Sequence, residues 1–143
     1  MLILLPPSES KEFGTSKTKL NFSKLSFPSL SHARQTVAAS LIKLSQTPKK
    51  ATEILGISSK QLAELEANQN LLTAKCSPAI EIYNGVLFDA FDYQNLSTNA
   101  KKMADKSVLI TSALFGMLST QDAIPHYRLS GSVSLPKIGS FQK

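Results

Sequence analysis

A chain of 143 residues with 42% hydrophobic and 18% charged side chains has the make-up of a single globular domain. It holds no run of about 18 apolar residues to span a membrane, its apolar start Met1–Leu5 lacks the basic flank of a signal peptide, and its one cysteine, Cys76, excludes an internal disulfide and suits a reducing cytosol. The net charge of +6 lies wholly in residues 1–50, where eight Lys and Arg face only Glu9 and Glu12, while residues 51–143 are balanced.

Leu2–Leu5 reads as a buried strand, stopped by Pro6-Pro7 and followed by the polar loop Ser8–Lys11. Residues 12–28 read as a loop that orders against another part of the fold. Ser29 or Ser31 can cap a helix to about Ser45, with Leu30, Ala33, Val37, Leu41 and Leu44 as its apolar stripe. Thr47 and Pro48 start a short helix that ends at Gly56. Ser58 starts a second, with Gln61 completing a capping box and Ile57 and Leu62 placed for a hydrophobic staple. Ser77-Pro78 begins a helix that bends at Gly85, with Phe88 and Phe91 as core. Ser97 caps a helix over Asn99–Ala104. Val108–Thr111 is a continuous apolar strand, and residues 129–135 read as an extended, hairpin-like segment.

Residues 48–67 thus read as helix, tight turn, helix. Such a turn can leave backbone N–H groups at a helix N-terminus, where the dipole favours phosphate oxygens without reading sequence. Lys60, and Lys49 and Lys50 at the start of the first helix, stand where the dipole disfavours cations unless an anion visits. Lys49, Lys50, Gly56, Ser58, Ser59 and Lys60 are therefore the candidate DNA contacts, with the basic first third in support. An ordinary pair of packed helices and a solvated lysine face explain the same residues.

The segment after Val108–Thr111 is dense in polar groups, which in α/β proteins often form sites beyond strand ends. Ser112, Asp122, Tyr127 and Arg128 from it, with Ser8, Glu9 and Lys11 and with Tyr83 and Asn84, are the candidate cleft. Arg128 can fork onto an anion or carboxylate, or pair structurally with Asp122 or Glu9. Ser8 as a nucleophile lacks an identifiable base. His126 can be a general base or a hydrogen-bonded core residue, and Cys76 a reactive thiol or a packed one. Two histidines and one cysteine show no metal-ligand spacing, and no cofactor is expected.

The segments Met1–Lys11, Tyr83-Asn84-Gly85, and Ser112–Leu118 with Asp122, Ile124-Pro125 and Tyr127–Leu129 resemble the YaaA (UPF0246, DUF328) family in order and spacing. The resemblance implies a mixed α/β fold with a positively charged cleft and a helix-hairpin-helix, a part in the cytoplasmic peroxide stress response, and binding to double-stranded DNA. Two departures stand out. Ser119-Thr120-Gln121 replaces the Arg-Pro pair that family members carry before the position of Asp122, and family proteins run on for roughly another hundred residues.

The expectation is therefore a single mixed α/β domain over residues 1–143, with a small core sheet, corresponding to the N-terminal portion of the family with one strand edge open. Its two core strands lie side by side, so that Ser8–Lys11 and Ser112–Arg128 meet. The expected function is sequence-independent DNA binding. The alternatives are an enzyme or small-anion binder at the strand edge formed by residues 8–11 and 112–128, and a nonfunctional remnant.

Overall fold

A computed structural model describes residues 1–136 and 138–140. In chain order it contains β1 (Ile3–Leu5), α1 (Ser31–Ser45), α2 (Pro48–Leu55), α3 (Leu62–Gln69), β2 (Cys76–Pro78), α4 (Ala79–Ile82), α5 (Val86–Phe91), α6 (Thr98–Ser107), β3 (Val108–Ser112), β4 (Gly116–Ser119), β5 (Ala123–Pro125), β6 (Ser134–Leu135) and β7 (Gly139–Ser140). The fold is mixed α and β with small sheets. Residues 141–143 lie outside the described residues.

The two apolar runs pair as expected. β1 and β3 are parallel, with Ile3 opposite Val108 and Leu5 opposite Ile110. β4 returns antiparallel on the far side of β3 through a turn closed by Gly116 at φ 74°, giving the order β1-β3-β4. β3 is thus the central strand, and Val108 and Ile110 are buried. β1 is not the buried strand that its composition suggested. It pairs on one side only, and Leu2 and Leu4 are 62% and 53% exposed. An apolar run cannot reveal whether a strand lies at the centre or the edge of its sheet.

The helical layer is built on α1, which packs against α2 and α3. Its buried face is Arg34, Ala38, Leu41, Leu44 and Ser45, so the inward stripe is turned from the expected one: Ala33 is exposed and Arg34 takes the inward position. The Arg34 side chain is buried, and its guanidinium makes four hydrogen bonds, all to backbone carbonyls. Its Nε donates to the Phe115 carbonyl at 2.7 Å, and its Nη2 to the carbonyls of Ser26 and Met117 at 2.8 and 2.7 Å. This side chain ties the loop before α1 to the β3–β4 hairpin.

α2 begins with Pro48 in its first turn and ends at Gly56, whose left-handed φ of 67° is the conformation that glycine adopts without strain. Gln61 accepts from the Ser58 N–H at 3.1 Å, as the capping box predicts. The staple is incomplete: Ile57 is buried in the core but Leu62 is 54% exposed. The helix expected from Ser77 is interrupted twice. Cys76–Pro78 is a strand paired with β5, and the chain opens at Tyr83 and Gly85 between the single turn of α4 and α5. Ser97 caps α6 by accepting from the Ala100 N–H at 3.1 Å.

Residues 12–18 do order against another segment. Ser16 N–H donates to the Cys76 carbonyl, Cys76 N–H to the Thr18 carbonyl, and Glu12 N–H to the Ile82 carbonyl. This strap carries Lys11 into an antiparallel bridge with Tyr83.

Candidate functional site

Parallel pairing of β1 and β3 brings their C-terminal ends together, so the loop after Leu5 and the segment after Ser112 meet. Between them lies a cavity of about 200 Å³ whose lining includes Ser8, Glu9, Lys11, Arg128 and Gly131. Tyr83 and Tyr127 do not line it but are buried behind Lys11. The Tyr127 hydroxyl bonds to those of Tyr83 at 2.6 Å and Ser112 at 2.7 Å, and Ser112 Oγ accepts from the Phe115 N–H at 3.0 Å. All three hydroxyl-bearing residues are buried. Burial pushes Tyr127 up to about 12 and Tyr83 well above its ordinary value, so both stay neutral phenols.

Lys11 lies over these rings, with Nζ 4.5 Å from the Tyr127 ring centroid and 5.7 Å from that of Tyr83. It is only 8% exposed, and the polar atom in its reach is the Glu9 carbonyl at 3.4 Å. Burial first, and the cation Arg128 second, pull Lys11 down to about 8, against the weaker pull of Glu64 and Glu9. Arg128 stands 4.0 Å from the carboxylate of Glu9, which is itself mostly exposed. Its backbone is held from α3: Asn68 Oδ1 accepts the Arg128 N–H at 2.8 Å, and Asn68 Nδ2 donates to the Arg128 carbonyl at 2.9 Å.

The structure therefore brings together Ser8, Glu9, Lys11, Tyr83, Ser112, Tyr127 and Arg128. Asn84 is beside them: its N–H donates to the Ser10 carbonyl at 3.4 Å and its Nδ2 to Glu12 Oε1 at 2.8 Å, so Tyr83–Gly85 closes the edge as expected. Ser8 Oγ is spent on the Ser10 carbonyl at 2.6 Å. Asp122 belongs elsewhere, which corrects its place in the cleft and its pairing with Arg128. Its carboxylate accepts from the Ser26 N–H and hydroxyl and from the Ser119 N–H, on the same loop that Arg34 holds. Spacing in sequence could not show that β4 and β5 turn Asp122 away.

His126 is a clamped core residue. Its ring stacks on Phe13 at 4.0 Å between centroids, Nε2 lies 2.6 Å from Glu64 Oε2, and Nδ1 lies 3.1 Å from the Glu12 carbonyl. Cys76 is fully buried, and burial pushes its thiol up to about 11, the opposite of an activated thiol. Among the described residues no group of His, Cys, Asp and Glu is placed to hold a metal ion, and no helix is long and apolar enough to cross a membrane.

The turn between α2 and α3 is a separate surface. Gly56, Ser58 and Lys60 are exposed there, Lys49 and Lys50 are exposed at the other end of α2, and a Cβ built on Gly56 would meet nothing within 4 Å. The side chain of Ser59 lies outside the described residues. Some of the turn's amides are taken up within the turn itself. Ile57 N–H donates to the Thr52 carbonyl, Ser58 N–H to Gln61 Oε1, and Gln61 N–H to the Ser58 carbonyl. Sequence reasoning passed over Asn68, Glu64 and Arg34. The signal for Asn68 was its spacing from Leu65 on the inward face of α3, where a polar residue needs a partner.

These residues match a known family along the whole chain. A family model described as peroxide stress protein YaaA covers residues 1–142. The chain belongs to the YaaA family. A UPF0246 protein of Corynebacterium glutamicum is 48% identical over 136 residues, 95% of this chain and 53% of its own length. One from Streptomyces coelicolor is 43% identical over 141 residues, covering 98% and 54%. One from Polynucleobacter asymbioticus is 30% identical over 144 residues, covering 96% and 54%. The chain spans about half the length of these YaaA-family relatives.

Proposed function

We propose that this chain serves the peroxide stress response in the cytoplasm by holding the phosphate backbone of double-stranded DNA without reading its sequence. The observation that carries this is the exposure of Lys60 beside the turn at Gly56 and of Lys49 and Lys50 in the first turn of α2. Each lysine lies near a helix start, where an anion relieves its conflict with the dipole. With the Ile57 and Ser58 amides already bonded, the lysine side chains make the contact. The test is duplex binding across a salt series. The parent is expected to lose affinity steeply with salt, and Lys60→Glu to reduce the log–log slope by about 0.9 or more. No binding by a folded chain, or a Lys60→Glu slope equal to the parent's, rejects the reading.

The cavity at the strand edge favours a second reading, a site for a small anion. Lys11 and Arg128 share its walls, and Glu9 is the one carboxylate lining it among the described residues. Arg128→Gln should then abolish small-anion binding and leave duplex affinity unchanged.

A further inference from the structure

Lys11 is the charged group of this cavity for which the fold supplies least. Its Nζ has one long contact, to a backbone carbonyl at 3.4 Å, and none of the ion pairs among the described residues includes it. The faces of Tyr127 and Tyr83 offset only part of the cost of desolvating an ammonium. The Tyr127 ring is itself fixed by the hydroxyl bonds to Tyr83 and Ser112, so the amine rests on a rigid support. A buried lysine that can shed its proton is a nucleophile. Beside it stands Arg128, whose backbone Asn68 grips on both sides and whose fork suits an acid group. Its present carboxylate neighbour, Glu9, is 4.0 Å away and mostly exposed, so an incoming acid can replace it.

We propose that Lys11 forms an imine with a small aldehyde or ketone that carries an acid group, the acid being held by Arg128. The Nζ lone pair adds to the carbonyl carbon, and a proton from the amine passes to the carbonyl oxygen. That oxygen then leaves as water, with a second proton from nitrogen, as the C=N bond forms. One amine and one carbonyl give one imine and one water, and nothing is oxidised or reduced. The lowering of Lys11 to about 8 makes part of the amine available in neutral buffer. The inference rests on the small-anion reading of the cavity and is independent of DNA binding.

The experiment uses the whole chain with glyoxylate as probe and borohydride to reduce any imine, followed by peptide mapping by mass spectrometry. The expected result is an adduct at Lys11 at glyoxylate concentrations at least tenfold below those that label Lys49, Lys50 and Lys60. Labelling should rise through pH 8. Arg128→Gln should cut labelling by glyoxylate at least tenfold, while labelling by acetaldehyde, which lacks the acid, stays as in the parent. Adducts spread evenly over the lysines, none at Lys11, or an Arg128→Gln variant with unchanged preference would overturn the proposal. Glycolate, which has the acid and no carbonyl, separates the two claims. Saturable glycolate binding without glyoxylate trapping sinks the imine and keeps the anion site; neither binding nor trapping removes both. Because the readout is taken on the parent chain, it does not depend on a Lys11 variant folding.

Discussion

Asn68 holds the backbone of Arg128 by both ends of its side-chain amide, accepting the N–H at 2.8 Å and donating to the carbonyl at 2.9 Å. One fully buried residue of α3 thereby sets the position of the cation at the strand edge. Asn68→Leu removes both bonds and leaves a donor and an acceptor unpaired. The expected cost is about 2–4 kcal/mol, measured by urea unfolding. A loss below about 0.5 kcal/mol would show that the Arg128 backbone finds other partners.

Arg34 does similar work for the β3–β4 hairpin. Its guanidinium serves carbonyls of Ser26, Phe115 and Met117 at once, and a lysine ammonium cannot span them from one point. Arg34→Lys is expected to cost about 3 kcal/mol in thermal or denaturant unfolding, although the charge is kept. Parent-like stability would mean that charge alone, not the fork, matters there.

Lys11 makes stability depend on pH with a definite sign. Its value falls from 10.5 to about 8 on folding, so between those limits the unfolded chain binds more protons than the folded one. The desolvation penalty is therefore fully present below pH 8 and is relieved as pH rises toward 10.5. Lys11→Met is expected to raise stability at pH 7 by roughly 1–3 kcal/mol, less than the full shift because methionine forfeits the contact with the Tyr127 face. The gain over the parent should shrink steadily from pH 8 to 9.5. Comparing the two proteins at each pH cancels the titration of the tyrosines. A gain that is flat or grows with pH would contradict the assignment.

Gly14 marks the place where the strap over residues 12–18 touches the sheet. A Cβ there would run into the Lys75 carbonyl. Gly14→Ala should cost about 1–3 kcal/mol and expose the strap to limited proteolysis. Gly131→Ala, at a position where a Cβ meets nothing within 4 Å, should change stability by less than about 0.5 kcal/mol.

Local chemistry was legible from the chain. Pro48, Gly56, Gln61 and Ser97 act on neighbours within a few residues, so their spacing alone specified α2, the turn and the start of α6. The apolar runs near residues 3 and 108 identified two strands, and the side-by-side pairing put Lys11 near Arg128. What spacing could not say was which way each element faces. Arg34 and Ala33 are adjacent, and a rotation of α1 by one residue decides which is buried. Asp122 and Arg128 are equally polar and only six positions apart, yet the first closes a loop and the second lines a cavity.

The sequence by itself determined the bounds of α2 and the start of α6, the family to which the chain belongs, and the confinement of its excess positive charge to residues 1–50. Tertiary structure alone decided that β1 is an edge, that Asn68 grips Arg128 across 60 residues of chain, and that Lys11 is buried on two tyrosine rings. The division has one physical cause. Capping and turn preferences are settled by short-range sterics and hydrogen bonds, whereas the burial of a charge depends on every segment that packs around it.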